Sequence, residues 1–447
     1  MRKLRLLAVL AAIVAVGCQQ ENFDEVVLPD NDTIAVEQSG FRSYDEALEI
    51  AENSIRLIEG KDVTRSTMKR RIIKNNVQTI RSNATRSGNT SDEPVAYVVN
   101  FEDNQGFAVI AANEQINPLI AVTESGNYTY GEPTGVEAFD DYMDNAISTL
   151  AIVHPPITLP DDPITPTPGV VTDTVDIYGR VDPLLTTKWG QDGIYGAKYP
   201  TGEVRCAAVA LGQIIAYHQS PTIMQQTHSN NLYMWIPWND ILRHDNANDN
   251  DNTDSSCDCG CNYNILGTIL YELGYRLHAK FVDTFPNEPV SGSGRDMDVL
   301  NVLHDFGYDE STLMSNVTWD ISSTMTTVFD NLDAHQPVYV GGSNDDNGHA
   351  WVVDGYHNES YGVRYYRYNT LYDPINPSPN QPRLILVGTT VTTTRMLHCN
   401  WGYNGMCNGW FTYGNFDLDD GELYDDIFGN YLLNYYTKNF GIIHGIK

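Results

Sequence analysis

Apolar and polar positions change period several times along the 447-residue chain, and each change predicts an element. In FRSYDEALEIAENSIRLIEG (41–60), Leu48, Ala51, Ile55 and Ile58 recur on one helical face. Ser43 with Glu46 makes a capping box at the start of that helix, and Gly60 stops it. Residues 61–86 are basic and polar without a sustained period and read as a solvated loop or short helix. From Ala96 the period shortens, and AYVVNF, GFAVIAA and PLIAVTE predict strands, with Asn104-Gln105-Gly106 in the first connection. A small α+β unit therefore spans 41–150.

The next stretch, VHPPITLPDDPITPTPGVVTD (153–173), has neither period, and its repeated prolines predict an extended linker over 151–180. Arg180, alone among Lys and Arg between Arg86 and Lys188, stands at its end as an exposed basic residue. Beyond the linker, a polar, Gly-rich approach runs into Cys206, and AAVALGQIIAYH then predicts a buried helix that Ser220-Pro221 ends. Helical pieces at Leu266–Leu273, Asp296–Phe306 and Ser322–Ala334 come first in the remainder. Aromatic strands follow at Pro337–Gly341, His349–Tyr356, Tyr361–Tyr368, Arg395–Asn400 and Gly409–Phe416. Asp354-Gly355 is a turn signal that ends the strand headed by His349. The expectation for 181–447 is an α+β domain, helical half first and antiparallel sheet last. No internal repeat is visible.

Length and composition narrow the class. A chain of 447 residues exceeds the roughly 250–300 at which one core stops growing, so two folded units with separate cores are expected. With 41% hydrophobic and 19% charged residues, 27 tyrosines and 35 glycines, the chain suits a globular, strand-rich protein. A formal net charge of −31 argues against nucleic acid or an anionic membrane surface as a partner, because both require clustered Lys and Arg.

At the N-terminus, MRKLR precedes the apolar run LLAVLAAIVAVG, which is too short to span a bilayer and reads as an export signal. It ends in Ala15-Val16-Gly17-Cys18, which resembles a bacterial lipobox, although Ala15 stands where leucine is commonest. The pattern favours lipidation of Cys18 over an ordinary secretory peptide cut nearby. Residues 1–18 would then be the signal and 19–40 a tether. Gln19, Gln20, Glu21, Asp24 and Glu25 would suit transport to the outer membrane or cell surface.

Seven cysteines occur, at 18, 206, 257, 259, 261, 399 and 407. Removing Cys18 leaves six, so parity does not expose a nucleophile and context has to decide. Cys206 falls at a helix start, where unpaired amides favour thiolate over thiol and are free to face a ligand. A buried structural cysteine is the competing reading beside so many alanines and valines. His349 heads the strand in NGHAWVVDGY (347–356), where Gly348 lets the backbone approach a cleft. A lone histidine there is usually structural. With a thiol to serve, it completes the layout of a papain-like cysteine protease. Imidazole takes the thiol proton and later protonates the leaving amine. Amides at the helix start, joined by the side chain of Gln191, would hold the oxyanion.

These residues resemble the streptopains, secreted bacterial cysteine endopeptidases of papain-like fold made as zymogens. The matching blocks are PLLTTKWGQ (183–191), CAAVALGQIIAYHQSP (206–221), GHAWVVDGY (348–356) and HCNWGYNGMCNGWF (398–411), in the family's order. YVVNFEDNQGFAVIAANEQINPLIAVTESGNY (97–128) is similar to the family's inhibitory propeptide. The resemblance implies Cys206 as nucleophile, His349 as general base, and Gln191 with Cys206 in the oxyanion hole. It also implies that Asn400 and Trp401 orient and shield the imidazole, Trp401 by lying over it and Asn400 by hydrogen bonding. It implies protein or peptide substrates, the chain's own prodomain as intramolecular inhibitor, and no metal or organic cofactor. Activation by cleavage within about 173–182 follows, with Val175 and Ile177 placed for a hydrophobic preference and Arg180 for a trypsin-like activator. Val204-Arg205-Cys206-Ala207 departs from the small lead-in usual in the family. Arg205 would further favour thiolate.

Three features carry less. In DNANDNDNTDSSCDCGC (245–261), Asp249, Asp251 and Asp254 are hard ligands, but the glycine and distal glutamate of an EF-hand are missing. Cys257, Cys259 and Cys261 lack zinc-type pairing, so a solvated insertion with disulfide chemistry is expected. Cys399 and Cys407 either pair or stay as buried thiols, and His218 is expected to cap the helix that Cys206 starts. Two rival functions stay open: a papain-like amidase or acyl transferase, and an inactive surface binding protein on the same scaffold.

Overall fold

Ser43 accepts the Glu46 amide, and its own amide donates to the Glu46 carboxylate at 2.7 Å, so helix α1 (Tyr44–Glu59) begins where the sequence places it. Its Ala47, Ala51, Ile55 and Leu57 face inward. The computed structural model describes residues 40–60, 62–81, 93–114, 117–152, 171–229, 231–245, 259–277, 292–315, 317, 323–343, 348–368, 384–412, 424–425, 431–432 and 438–447. After α1 come β1 (Ile72–Arg81), β2 (Pro94–Phe101), β3 (Phe107–Ala111), β4 (Leu119–Thr123) and helix α2 (Glu137–Ile152). β1 corrects the reading of 61–86 as loop or short helix over 72–81; residues 61 and 82–86 lie outside the described residues. It pairs with β2 at the end of the sheet, and in it Ile80 alone is buried, so the strand never needed an alternating apolar face.

The second half opens with β5 (Val171–Val181), a short helix α3 (Gly193–Gly196) and helix α4 (Cys206–His218). The hairpin β6 (Ile223–Gln226) and β7 (Leu232–Trp235) follows, then helices α5 (Trp238–Asp245), α6 (Cys259–Arg276) and α7 (Gly292–Asp305). Strand β8 (Thr312–Ser315) and helix α8 (Ser323–Asp333) lead into β9 (Val338–Ser343), β10 (Gly348–Tyr368), β11 (Leu384–Asn400) and β12 (Gly409–Thr412). The pair β13 (Tyr424–Asp425) and β14 (Tyr431–Leu432) precedes the last strand, β15 (Lys438–His444). This is the expected α+β class. The backbone of Cys259 and Cys261 begins α6 and does not continue the insertion expected from 245; Cys257 and the three aspartates lie outside the described residues, as does Cys18.

Among the described residues, ten strands run β1-β2-β3-β4-β12-β11-β10-β9-β15-β8 in one antiparallel sheet, and β5 joins it on β10. The two halves meet at β4 and β12, where Thr123, Val122 and Ala121 face Gly409, Trp410 and Phe411. A Cβ on Gly409 would lie 2.2 Å from the Val122 carbonyl oxygen, so this join requires glycine. The expectation of two separate cores is corrected accordingly. Phe139, Tyr142 and Met143 of α2 share one core with Trp351, Trp401 and Phe411, while Trp410 and Met396 join the core under α1. On the other face of the sheet, α4 is buried from Ala207 to Ala216 among α6 and α7, which is why its sequence there is apolar on every side except at Gln213.

Two further expectations change. β10 runs unbroken from Gly348 to Tyr368, and Asp354-Gly355 is a bulge against β11 instead of a turn. The Asp354 carboxylate is fully buried, accepting the Leu185 amide at 2.9 Å and the His398 Nδ1 proton at 2.6 Å, and Gly355 lies close against Val181 and His398. Those contacts use the very features that make Asp-Gly a turn signal elsewhere. Likewise 171–181, expected as the end of an exposed linker, is strand β5 paired along β10. Arg180 is not exposed. Its guanidinium binds Asp182 at 2.6 Å and the Leu57 carbonyl at 3.0 Å, and lies over Trp410.

Candidate active site

The approach to α4 is tied down before the helix begins, because the Val204 amide donates to the Gln191 carbonyl at 2.7 Å. Arg205 is extended (φ −76°, ψ 145°) and makes no side-chain cap, and the first turn holds no acidic residue. Cys206 thus starts the helix at a terminus whose positive end no side chain covers. Its thiol is half-buried and forms no disulfide.

His349 is the second residue of β10, opposite Gly342 of β9, and its imidazole is hydrogen-bonded to the Cys206 side chain. Nε2 donates to the Trp401 carbonyl at 2.9 Å. That bond keeps a proton on Nε2 and leaves Nδ1 as the nitrogen able to take one from the thiol. Burial opposes charge on the ring, but the Cys206 thiolate, its hydrogen bond, the Trp401 carbonyl and the Glu137 carboxylate overcome it and raise the imidazole above its ordinary range. Tyr403 stacks on the ring at 5.4 Å, with Trp351 at 6.2 Å and Trp401 tilted at 6.4 Å.

The supporting pair therefore works differently from expectation. Trp401 supplies the direct contact through its carbonyl, and Tyr403 lies closer over the ring than the Trp401 indole. Asn400 does not reach the imidazole. Its Nδ2 donates to the Thr187 carbonyl at 2.9 Å and to Gln213 Oε1 at 3.2 Å, and its Oδ1 accepts from Gln213 Nε2 and from the Gly402 amide. The reason is geometric: Asn400 ends β11 with its side chain turned to the interior, whereas the chain turning at Trp401 presents its carbonyl to the cleft. Gln191 is half-buried and hydrogen-bonded to the Tyr403 hydroxyl, which burial pushes up to about 12. Tyr403, Trp351 and Gln213 escaped the sequence reading. The signal for Gln213 was an amide inside the otherwise apolar run AAVALGQIIA.

The remaining candidates separate from this site. Cys399 and Cys407 are free thiols and form no disulfide. Burial pushes Cys407 up to about 12 and Cys399 well above its ordinary range, so neither competes as a thiolate. His218 does not act as a charged cap, because burial lowers its pKa and it lies edge-on to Tyr308, while Gln219 ends the helix in the left-handed region. No cluster of three His, Cys, Asp or Glu able to hold a metal occurs among the described residues. Nor is any described helix long and apolar enough to cross a membrane.

Near the join of the halves, His398 Nδ1 meets Asp354 at 2.6 Å and Nε2 lies 3.3 Å from Glu124, just beyond β4. Burial opposes its charge, but the two carboxylates push His398 up to about 9. Burial likewise opposes charge on Glu124, which His398 and Lys188 hold down to about 2.

A thiol at the start of a buried helix, hydrogen-bonded to an imidazole on an antiparallel sheet, is the layout of a papain-like cysteine peptidase. Residues 189–372 match the Peptidase C10 family, and residues 36–147 match the Spi protease inhibitor. Residues 189–372 are thus similar to the streptopain-type peptidases of Peptidase C10, and the chain is a cysteine-type endopeptidase built as a zymogen with an inhibitor-type propeptide. Streptopain of Streptococcus pyogenes serotype M28 is 22% identical over 336 residues, covering 70% of this chain and 73% of that protein. The serotype M1 streptopain is 22% identical over 337 residues, with the same coverage. Among solved structures, a Prevotella intermedia prointerpain A fragment is 18% identical with a TM-score of 0.45, covering 83% of this chain and 99% of that one. Active interpain A from the same organism is 19% identical with a TM-score of 0.35, covering 60% and 95%.

Proposed function

We propose that this peptidase hydrolyses protein or peptide substrates through a Cys206–His349 pair, after removal of a prodomain (41–150) that blocks the cleft in the precursor. The observation that carries the reading is the hydrogen-bonded pair itself, with Nε2 anchored on the Trp401 carbonyl and the imidazolium favoured. The thiolate sulfur attacks the scissile carbonyl carbon, and the oxyanion is held by the Cys206 amide and Gln191. Imidazolium then gives its proton to the leaving amine, and water releases the acyl group from sulfur with His349 as base. No metal or organic cofactor enters these steps.

Residues 1–18 act as a lipoprotein signal, Cys18 carries the lipid, and 19–40 tether the precursor to the outer membrane or cell surface. The activating cut falls within 173–182, so it follows release of β5 from β10. Arg180, held against Leu57 and Trp410, is a poor target for a trypsin-like activator while the precursor is folded.

Incubation of the purified precursor beside its Cys206→Ala and His349→Ala forms tests this. The wild type should shorten to the 181–447 region and cleave a fluorogenic peptide, while both variants stay full length and inert. Cleavage of simple amides without peptides would favour the amidase alternative. Iodoacetamide labelling of Cys206 that is unaffected by His349→Ala would sink the dyad. For the anchor, labelled palmitate should enter the wild type and not Cys18→Ser.

A further inference from the structure

Inside α4, about two turns beyond Cys206 and on the same face, Gln213 has no exposed surface. A buried amide in an apolar helix is costly unless its polar atoms are bonded, and here both the oxygen and the nitrogen are. Gln213 Oε1 accepts from the Thr187 hydroxyl at 2.9 Å, the Trp189 amide at 3.2 Å and Asn400 Nδ2 at 3.2 Å. Its Nε2 donates to Asn400 Oδ1 at 3.1 Å. Asn400 continues outward, accepting the Gly402 amide at 3.2 Å and donating to the Thr187 carbonyl at 2.9 Å.

Three separate segments meet on this one side chain. The first is the helix that begins with Cys206. The second is 187–189, which leads directly into Gln191. The third is the turn 400–402, whose Trp401 carbonyl holds His349 Nε2 at 2.9 Å. We infer that Gln213 is a positioning residue that holds the Cys206 helix, the Gln191 approach and the Trp401 carbonyl in one rigid frame. Asn400 transmits its effect, since Asn400 fixes the backbone on either side of that carbonyl. The inference rests on Cys206 and His349 being the reactive pair. It goes beyond that pair, because Gln213 touches neither of them.

Local rigidity of this kind matters because displacing a reacting group by about 1 Å costs on the order of 100-fold in rate. Loss of the amide should loosen the Trp401 turn, weaken the bond on Nε2, and so disfavour the imidazolium that keeps the sulfur ionised. Gln213→Met keeps length and volume while deleting every hydrogen bond. Thr187→Val deletes one of them at little risk to folding.

The test uses full-length chain for alkylation and the self-processed enzyme for kinetics. Gln213→Met should lower kcat/KM by roughly 10- to 100-fold, mainly through kcat. The acid limb of the pH profile for iodoacetamide alkylation of Cys206 should move upward by about half a unit or more. Asn400→Ala should behave alike, and the Gln213→Met/Asn400→Ala double variant should be no worse than the poorer single one. Thr187→Val should shift the same limb in the same direction by a smaller amount. A merely structural role would lower Tm and leave the alkylation profile of the folded fraction where it was. An unshifted profile in both Gln213→Met and Thr187→Val, or losses that multiply in the double variant, overturns the inference. If wild-type alkylation shows no dependence on His349, the dyad falls and this role with it; if that dependence is present and Gln213→Met leaves it intact, only the positioning role falls.

Discussion

Glu124→Gln removes a carboxylate that reaches from the end of β4 across the join to His398 at 3.3 Å and to Lys188 at 3.3 Å. Breaking a buried ion pair by deleting one partner costs about 3–5 kcal/mol when the other charge is left alone. His398 is not left alone, because Asp354 holds its Nδ1 at 2.6 Å, and the Lys188 side chain is more than half exposed and contributes little. The loss is therefore about 2 kcal/mol, roughly a 30-fold weaker hold of the propeptide half on the catalytic half. The sign follows from both partners. Glu124, held down to about 2, contributes stability above its ordinary carboxylate pKa that is lost as pH falls through 2. His398, pushed up to about 9, contributes stability below its ordinary imidazole pKa that is lost as pH rises through 9. The contact is thus complete at about pH 4.5–6.5. At pH 5.5 the Glu124→Gln precursor should shorten itself faster than wild type. In the Cys206→Ala background, amide exchange at Val122 and Thr123 should accelerate, and both differences should fade above pH 9. Equal shortening rates and equal exchange at pH 5.5 would refute the reasoning.

Other expectations concern stability and are best read in the Cys206→Ala background. Asp296 is buried against Gly341 and Gly441, and burial raises its carboxyl to about 7. Its contribution is complete below its ordinary pKa and lost as pH rises through 7, about 3 kcal/mol between pH 5 and 8, so the fall in Tm over that range should shrink in Asp296→Asn. Gly409→Ala sets a methyl 2.2 Å from the Val122 carbonyl and should cost about 1–3 kcal/mol in urea unfolding, with β4 and β12 exchanging faster; wild-type behaviour would show that the join yields easily. Ser43→Ala removes the hydroxyl that accepts the Glu46 amide while leaving the backbone bond to the Glu46 carboxylate, and should cost about 1 kcal/mol, with fraying confined to the first turn of α1 by exchange.

Much of the site was legible because its signals are local. The capping box at Ser43, the helix start at Cys206 and the strand headed by His349 are written in residues within a few positions of one another. Asp354-Gly355 misled for the complementary reason. Its turn chemistry is local, but Leu185, His398 and Val181 come from distant segments and hold the pair in a continuous strand. β1 was invisible because it is an edge strand with a single buried residue, and β5 because its partner, β10, lies far along the chain.

From the sequence alone follow α1, α4, the strands β2 to β4 and the α+β class, with the thiol, the imidazole and the blocks around them, since period, capping and turn residues act over a few positions. Tertiary structure alone decided that both halves share one sheet through Gly409, that Arg180 is clamped, and that the Trp401 carbonyl, not the Asn400 amide, holds His349. It also decided that Gln213 ties the cleft's parts together. These depend on which buried donors and acceptors find one another across long separations, and a hydrogen-bond partner has no period along the chain to betray it.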